Sequence, residues 1–352
     1  SFNAEADADT EININMMKGN KAGTTVDIPK EFSYIPNISG ISNNPDGKTI
    51  HCTINDAIGT IGNVFGGGKQ GIVKGNTQVN INSSAKVYIM KRDGEGRVLD
   101  TSGNPITTTS GQNITAGITI DCTDEHDTKG AHITGNVFGG GENADVTGSE
   151  RASDKGNTFV NICANPDTYA AVAEGAEKVT IDESVYGGGS EADVLANARV
   201  TMAGGYVFDG VYGGGLKGSV GTFTRTTNVT TESNNFDHST HSATCLGKPT
   251  ACADGTGTCT VVVSGGQVGP IEVATKGMKN DGGDPVDVGF VFGAGRGDVE
   301  NPNDVKDADF HTFVNKTDVT ISGGLIMASV YGGGENGRVL HDTHVTISGG
   351  QI

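Results

Sequence analysis

The sequence predicts an all-β protein, a parallel β-helix or close β-solenoid relative with coils of about 26 residues. Three observations lead there. A Val-aromatic-Gly-Gly/Ala-Gly motif occurs six times, and a Thr-x-Val-x-Ile motif alternates with it. The step from the first to the second is 15 residues (Val64 to Val79, Val185 to Val200, Val330 to Val345), and the return is 11 (Val200 to Val211, Val319 to Val330). Within each unit apolar residues alternate with period two and show no helical period. A strand repeat too short to bury its own apolar face must stack on its neighbours.

Each element of the unit has a reason. The first motif stands at Val64-Phe65, Val137-Phe138, Val185-Tyr186, Val211-Tyr212, Val291-Phe292 and Val330-Tyr331, each followed by its glycines. Another Val usually follows nine residues after the first: Val73, Val146, Val194, Val220 and Val339. The second motif begins at Thr77, Thr158, Thr317 and Thr343, with degenerate copies at Ala198-Val200-Met202 and Cys259-Val261-Val263. These segments read as three short strands per unit. Coiling would pair each strand in parallel with its equivalent, roughly 4.8 Å away, and crossover chirality favours a right-handed coil. Val and Ile of the second motif point inward, each contributing about 1.5–3 kcal/mol on burial. The alternate positions Gln78, Asn80, Phe159, Asn161, Asp318, Thr320, His344 and Thr346 are expected to face water or a partner. Glycine makes the corner, by positive φ or by close backbone contact. The aromatics are expected to stack on one another beside it.

Residues 1–60 read as a partly irregular start of the array, although Thr10-Glu11-Ile12-Asn13-Ile14 fits the second motif and Thr49–Ile54 reads as a strand. Residues 61–352 read as the β-helix proper. Insertions interrupt it near 83–133, 165–176, 232–257, 269–288 and 300–312. The first contains a hairpin, Lys86–Met90 with Arg97–Asp100, around Asp93-Gly94-Glu95-Gly96. Such loops leave from the surface and carry function disproportionately. The chain begins at Ser1 and stops at Ile352 inside a repeat, which leads us to expect an array continuing past both ends.

Composition narrows the partners. Glycine is 56 of 352 residues, about twice the usual share, without the Gly-X-Y period of collagen. The net charge of −18 argues against nucleic acid, whose phosphates need Lys and Arg, and against an anionic membrane surface. No apolar run is long enough for direct membrane insertion.

Candidate chemistry is sparse. Gly139-Gly140-Gly141-Glu142-Asn143-Ala144-Asp145-Val146 superficially resembles a calcium-binding nonapeptide. Its Asp becomes Ile72, Ser219 or Arg338 in other copies, however, which removes the ligand. No resident cofactor is expected; an isolated Ca²⁺ in Asp281–Asp287 or Asn301–Asp309 is the one the acidic loops admit. His238, His241, Cys245, Cys252 and Cys259 have zinc-ligand chemistry but no Cys-x2-Cys pair. Disulfides in an oxidising compartment explain an even six cysteines (Cys52, Cys122, Cys163, Cys245, Cys252, Cys259) better, with core thiols as the other alternative. Arg296-Gly297-Asp298 spells an integrin-type tripeptide that the repeat template itself generates. The glycine triplets lack the Lys-Ser/Thr of a phosphate loop, and no Gly-x-Ser-x-Gly or His-Glu-x-x-His occurs. Parallel β-helices include polysaccharide lyases and glycosidases with acid/base groups in a surface groove; pairs such as Asp145 with Asp193 could neighbour each other on successive coils, where solvated face charges are the plainer reading.

Val330-Tyr331-Gly332-Gly333-Gly334-Glu335-Asn336-Gly337, followed by Val345-Thr346-Ile347-Ser348-Gly349-Gly350, resembles the large Gly-rich repeat proteins of gut Bacteroidales. Ile61–Gly68 and Gly75-Asn76-Thr77 fit the same style, and the likeness covers most of the chain outside the insertions. It implies secreted or surface-attached β-helical proteins with adhesive or fibrous roles, and it carries over no catalytic or binding residue. The expectation is a non-enzymatic extracellular or bacterial cell-surface protein, an adhesin stalk or fibre segment. Its partners would be sister copies, host or bacterial glycans and surface proteins. The alternative is a carbohydrate-active β-helix enzyme.

Overall fold

The computed structural model describes residues 9–14, 38–43, 49–54, 61–84, 93–97, 99, 103–105, 107, 111, 113, 119–121, 129–148, 155–171, 179–227, 246–270, 288–297 and 312–352. Regular structure there is strand throughout, with no helix among the described residues, so the protein is all-β with predominantly parallel sheets.

The second motif builds the largest sheet. Its strands run in the order Thr10–Ile14, Thr77–Ile81, Thr158–Ile162, Ala198–Val207, Thr258–Val268, Lys316–Ile321 and Thr343–Ile347. Every neighbouring pair is parallel and in motif register, so that Ile12, Val79, Val160, Val200, Val261, Val319 and Val345 form one row. The first motif builds a six-stranded sheet in which Val64, Val137, Val185, Val211, Val291 and Val330 align. A third row is a ladder of parallel bridges through Val73, Val146, Val194, Val220 and Val314, which Val339 extends.

A fourth row was not among the three strands expected. Ile61, Ile133, Ile181, Val207, Val268 and Ile326 pair in parallel just before the aromatic sheet. Inward residues of the first, second and fourth rows make one core, in which Val79, Val160, Val200, Val261 and Val319 are fully buried. The third row packs separately with Ala198, Cys259 and Ala294.

The glycine triplets work by close approach. None takes a positive φ; that conformation falls instead on the second glycine ending the other motif, Gly205, Gly266, Gly324 and Gly350. A Cβ built on Gly187 would collide with the backbone carbonyl of Gly213, and Gly66, Gly139, Gly213 and Gly293 meet the equivalent carbonyl in turn. That carbonyl also receives a side chain. Thr77 Oγ1 donates to Gly139 O at 2.5 Å, Thr158 Oγ1 to Gly187 O at 2.6 Å and Thr317 Oγ1 to Gly332 O at 2.6 Å. A buried hydroxyl is therefore matched to a buried carbonyl, which explains why threonine opens the second motif.

Several expectations meet a more exact outcome here. The aromatics stack in one column: Phe65, Phe138, Tyr186, Tyr212, Phe292 and Tyr331 lie nearly parallel at centroid spacings of 4.9, 4.9, 4.9, 5.1 and 4.9 Å. Thr49–Ile54 is a strand, paired antiparallel with Ile38–Asn43 and parallel with Thr119–Asp121. Asn80 and Asn161, expected to face outward, are instead buried, with Asn161 Nδ2 donating to Asn80 Oδ1 at 2.9 Å. The turn Ala164–Ala171 follows their strand, and its Tyr169 lies against Arg199 on this outer face. Two insertions leave through antiparallel necks, Ser83–Ser84 with Lys129–Gly130 and Phe223–Thr227 with Leu246–Cys252. The expected turn at Asp93 forms, with Gly96 N–H donating to Asp93 O at 3.0 Å; Lys86–Met90 lies outside the described residues.

Candidate functional site

A groove of about 310 Å³ crosses the outer face of the large sheet, lined by Asn157, Phe159, Asn197, Arg199, Gly255, Thr258 and Thr260 among others. The strands place these groups by register. Phe159 lies opposite Arg199, and Arg199 opposite Thr260. Below them runs an amide ladder: Asn157 N–H donates to Asn76 Oδ1, Asn197 Nδ2 to Asn157 Oδ1, and Thr258 N–H to Asn197 Oδ1. The amides thus satisfy backbone donors between strands and stiffen the floor.

Arg199 is the cation of the groove. Its guanidinium carbon stands 4.2 Å from the Tyr169 ring centroid, and its Nε donates to Thr201 Oγ1 at 3.2 Å. Tyr169 is held there by a non-glycine positive φ of 58° and by the Asn165 turn, in which Asn165 Oδ1 accepts from Asp167 and Thr168 N–H.

A second polar cluster caps the aromatic column. Tyr212 OH donates to Glu335 Oε2 at 2.6 Å. Arg296 approaches Glu335 at 3.5 Å, Asp209 at 3.7 Å and the Tyr186 hydroxyl at 3.4 Å. Ser184 Oγ donates to Asp209. Burial pushes the Tyr186 phenol up to about 12 and raises Tyr212 further, helped by Glu335, so both stay protonated, Tyr212 donating to Glu335 and Tyr186 accepting from Arg296. Partial desolvation, then Asp209, holds Glu183 above its ordinary range. The groups of this cluster are occupied with one another and tie successive repeats together.

The remaining candidates separate. Asp145 and Asp193 do neighbour each other, but as acceptors for backbone: Asp145 Oδ1 takes Asp193 N–H at 2.8 Å and Asp193 Oδ1 takes Ser219 N–H at 2.7 Å. No metal-holding group of His, Cys, Asp and Glu occurs among the described residues. His238, His241 and Cys245 lie outside them, as do Cys122, Asp281–Asp287, Asn301–Asp309 and the side chain of Cys52. Cys252 and Cys259 stand as free thiols. Cys163 and Cys259 are buried in the two cores, and burial raises the Cys259 thiol well above its usual range. Arg296, the first residue of the integrin-type tripeptide, is engaged with Tyr186, Asp209 and Glu335.

Sequence reasoning treated Phe159 only as one outward position and gave Arg199 and Tyr169 no role. The signal was available in part: Arg199 occupies the outward place next to Val200 in a degenerate copy of the motif. Tyr169 lies in an insertion, where no repeat template applies. No family model, curated protein or solved structure matches the chain.

Proposed function

We propose that the four rows are the faces of one parallel, right-handed β-solenoid with coils of about 26 residues. In this reading the protein is a non-enzymatic structural protein of the cell surface or extracellular space, an adhesin stalk or fibre segment. The observation that carries the reading is the register: seven strands of the second motif pair equivalent to equivalent, across insertions of very different length. Such an architecture makes a long rigid surface from nearest-neighbour contacts alone. Its loops and outward rows would meet glycans, surface proteins or sister chains.

Sedimentation velocity with electron microscopy tests this: the purified chain is expected as elongated particles whose long axis follows the stacked rows. Compact particles would overturn the reading. Release of reducing or unsaturated sugar ends from a polysaccharide, abolished by a carboxylate substitution, would overturn its non-enzymatic part.

A further inference from the structure

We propose that the groove around Phe159 and Arg199 binds an anionic saccharide, a chain of sugars carrying carboxylates. The inference rests on the surface-adhesion reading above and gives it a site and a ligand class.

Charge is the first argument. In a chain of net charge −18, acids outnumber bases, and several cations among the described residues pair with a carboxylate, as Lys69 and Lys217 do. Arg199 has none among the described residues; its contacts are the Tyr169 ring and Thr201 Oγ1. The ring holds one face and Thr201 holds Nε, so both terminal nitrogens are left without an acceptor among the described residues. A planar guanidinium fixed at two points is pre-organised to take a carboxylate through two parallel hydrogen bonds.

The surroundings suit a sugar. Phe159, half-buried and one strand away in register, offers a ring face to the apolar face of a pyranose. The hydroxyls of Thr258 and Thr260 make no hydrogen bond among the described residues and line the same groove. They can exchange hydrogen bonds with sugar hydroxyls as either donor or acceptor. The volume, about 310 Å³, lies at the small end of ligand sites. Along this row the next acid is Asp318, two strands beyond Arg199 and so roughly 10 Å away, which confines the basic part of the site to the middle of the sheet.

An acidic peptide would supply the same charge, but peptides join sheets at a free edge, and acidic motifs are read by clusters of arginine, of which this lining has Arg199 alone. The strands under this groove are paired on both sides. The geometry therefore favours the saccharide.

Calorimetric titration of the full chain with tetragalacturonate, its methyl ester and a tetraglutamate peptide tests the proposal. The acid is expected to bind at least tenfold tighter than the ester. Arg199→Gln should bring the acid down to the ester's affinity, and Phe159→Ser should weaken both saccharides. Lys217→Gln, whose ammonium pairs with Glu191, should change neither. Unaltered circular dichroism shows that each variant is folded. Equal binding of acid and ester, or an undiminished preference in Arg199→Gln, overturns the anionic assignment and leaves the adhesive reading standing. Tetraglutamate binding as tightly as the saccharide overturns it in favour of a peptide. No saccharide bound, with elongated particles retained, sinks the groove but not the solenoid; compact particles sink the solenoid whatever the groove binds.

Discussion

The rings of Phe138 and Tyr186 lie 4.9 Å apart and within 8° of parallel, although they belong to different repeats. The spacing is that of neighbouring strands in a sheet, so the column of rings copies the backbone ladder beneath it. Tyr186 is fully buried at its centre. Tyr186→Ala should therefore cost on the order of 3–5 kcal/mol. Tyr186→Phe should cost less than about 1 kcal/mol, because the hydroxyl's neighbours, Arg296 at 3.4 Å and Ser184, are held by acids as well. Urea denaturation followed by circular dichroism separates the two; similar losses would show that the ring stack is not what Tyr186 contributes.

Position decides what each glycine tolerates. Gly187→Ala places a methyl group against the Gly213 carbonyl, a backbone atom that cannot step aside, and should cost about 3 kcal/mol. Gly62→Ala, with no atom within 4 Å of the added methyl group and no positive φ, should cost markedly less. The middle position of the triplet is not uniform: a Cβ on Gly188 would meet Gly215 N at 2.7 Å, whereas Ala294 stands at this place in another copy, buried with Val220 and Val314. Equal losses at Gly187 and Gly62 would contradict close approach as the cause.

Thr158→Val keeps the shape and deletes the hydroxyl that serves Gly187 O. The buried carbonyl then loses its side-chain donor, at a cost of about 1–3 kcal/mol. Stability unchanged within about 0.3 kcal/mol would show that the carbonyl finds another donor.

Glu183 gives a pH test. Its carboxyl is held above its ordinary 4.5, first by desolvation and then by Asp209, against the pull of Arg296. A raised carboxyl contributes stability that is complete below the unfolded value and lost as pH rises through the folded one. Glu183→Gln imitates the protonated form. It should match the parent in urea midpoint at about pH 4 and exceed it at about pH 7. An equal shift at both pH values would assign the effect to shape instead of charge.

Cys163 and Cys259 should resist a thiol reagent until the chain unfolds, since both are buried and the Cys259 thiol is held protonated. Cys252, half-buried, should react first. Rapid labelling of all three in the native state would contradict the placement of Cys163 and Cys259 in the cores.

Much of the fold was legible because the repeat states its contacts many times over. Val79, Val160 and Val200 recur at matching places, so their row follows from spacing alone. The fourth row was missed because only Val207, Val268 and Ile326 follow a Gly-Gly pair, while Ile61, Ile133 and Ile181 carry no such marker. They are single aliphatics standing three or four residues before the first motif, except where an insertion follows Val268. Val314 escaped for a related reason: the 300–312 insertion delays it from the usual nine-residue place, and the bridge ladder recovers it. Asn80 and Asn161 looked outward by alternation, yet both are buried and bonded to each other. The groove was least legible, because Tyr169 reaches Arg199 from an insertion whose path no repeat specifies.

The central claim, that unequal stretches of sequence become equal steps along one axis, can be read with a spectroscopic ruler. Spin labels at Gln78 and Asp318 mark outward positions four strands apart in register, and labels at Gln78 and His344 mark five. Pulsed electron–electron double resonance is expected to give backbone separations of about 19 Å and about 24 Å, differing by one strand spacing. Two equal distances, or distances that do not advance by a single step, would contradict the stacked repeat.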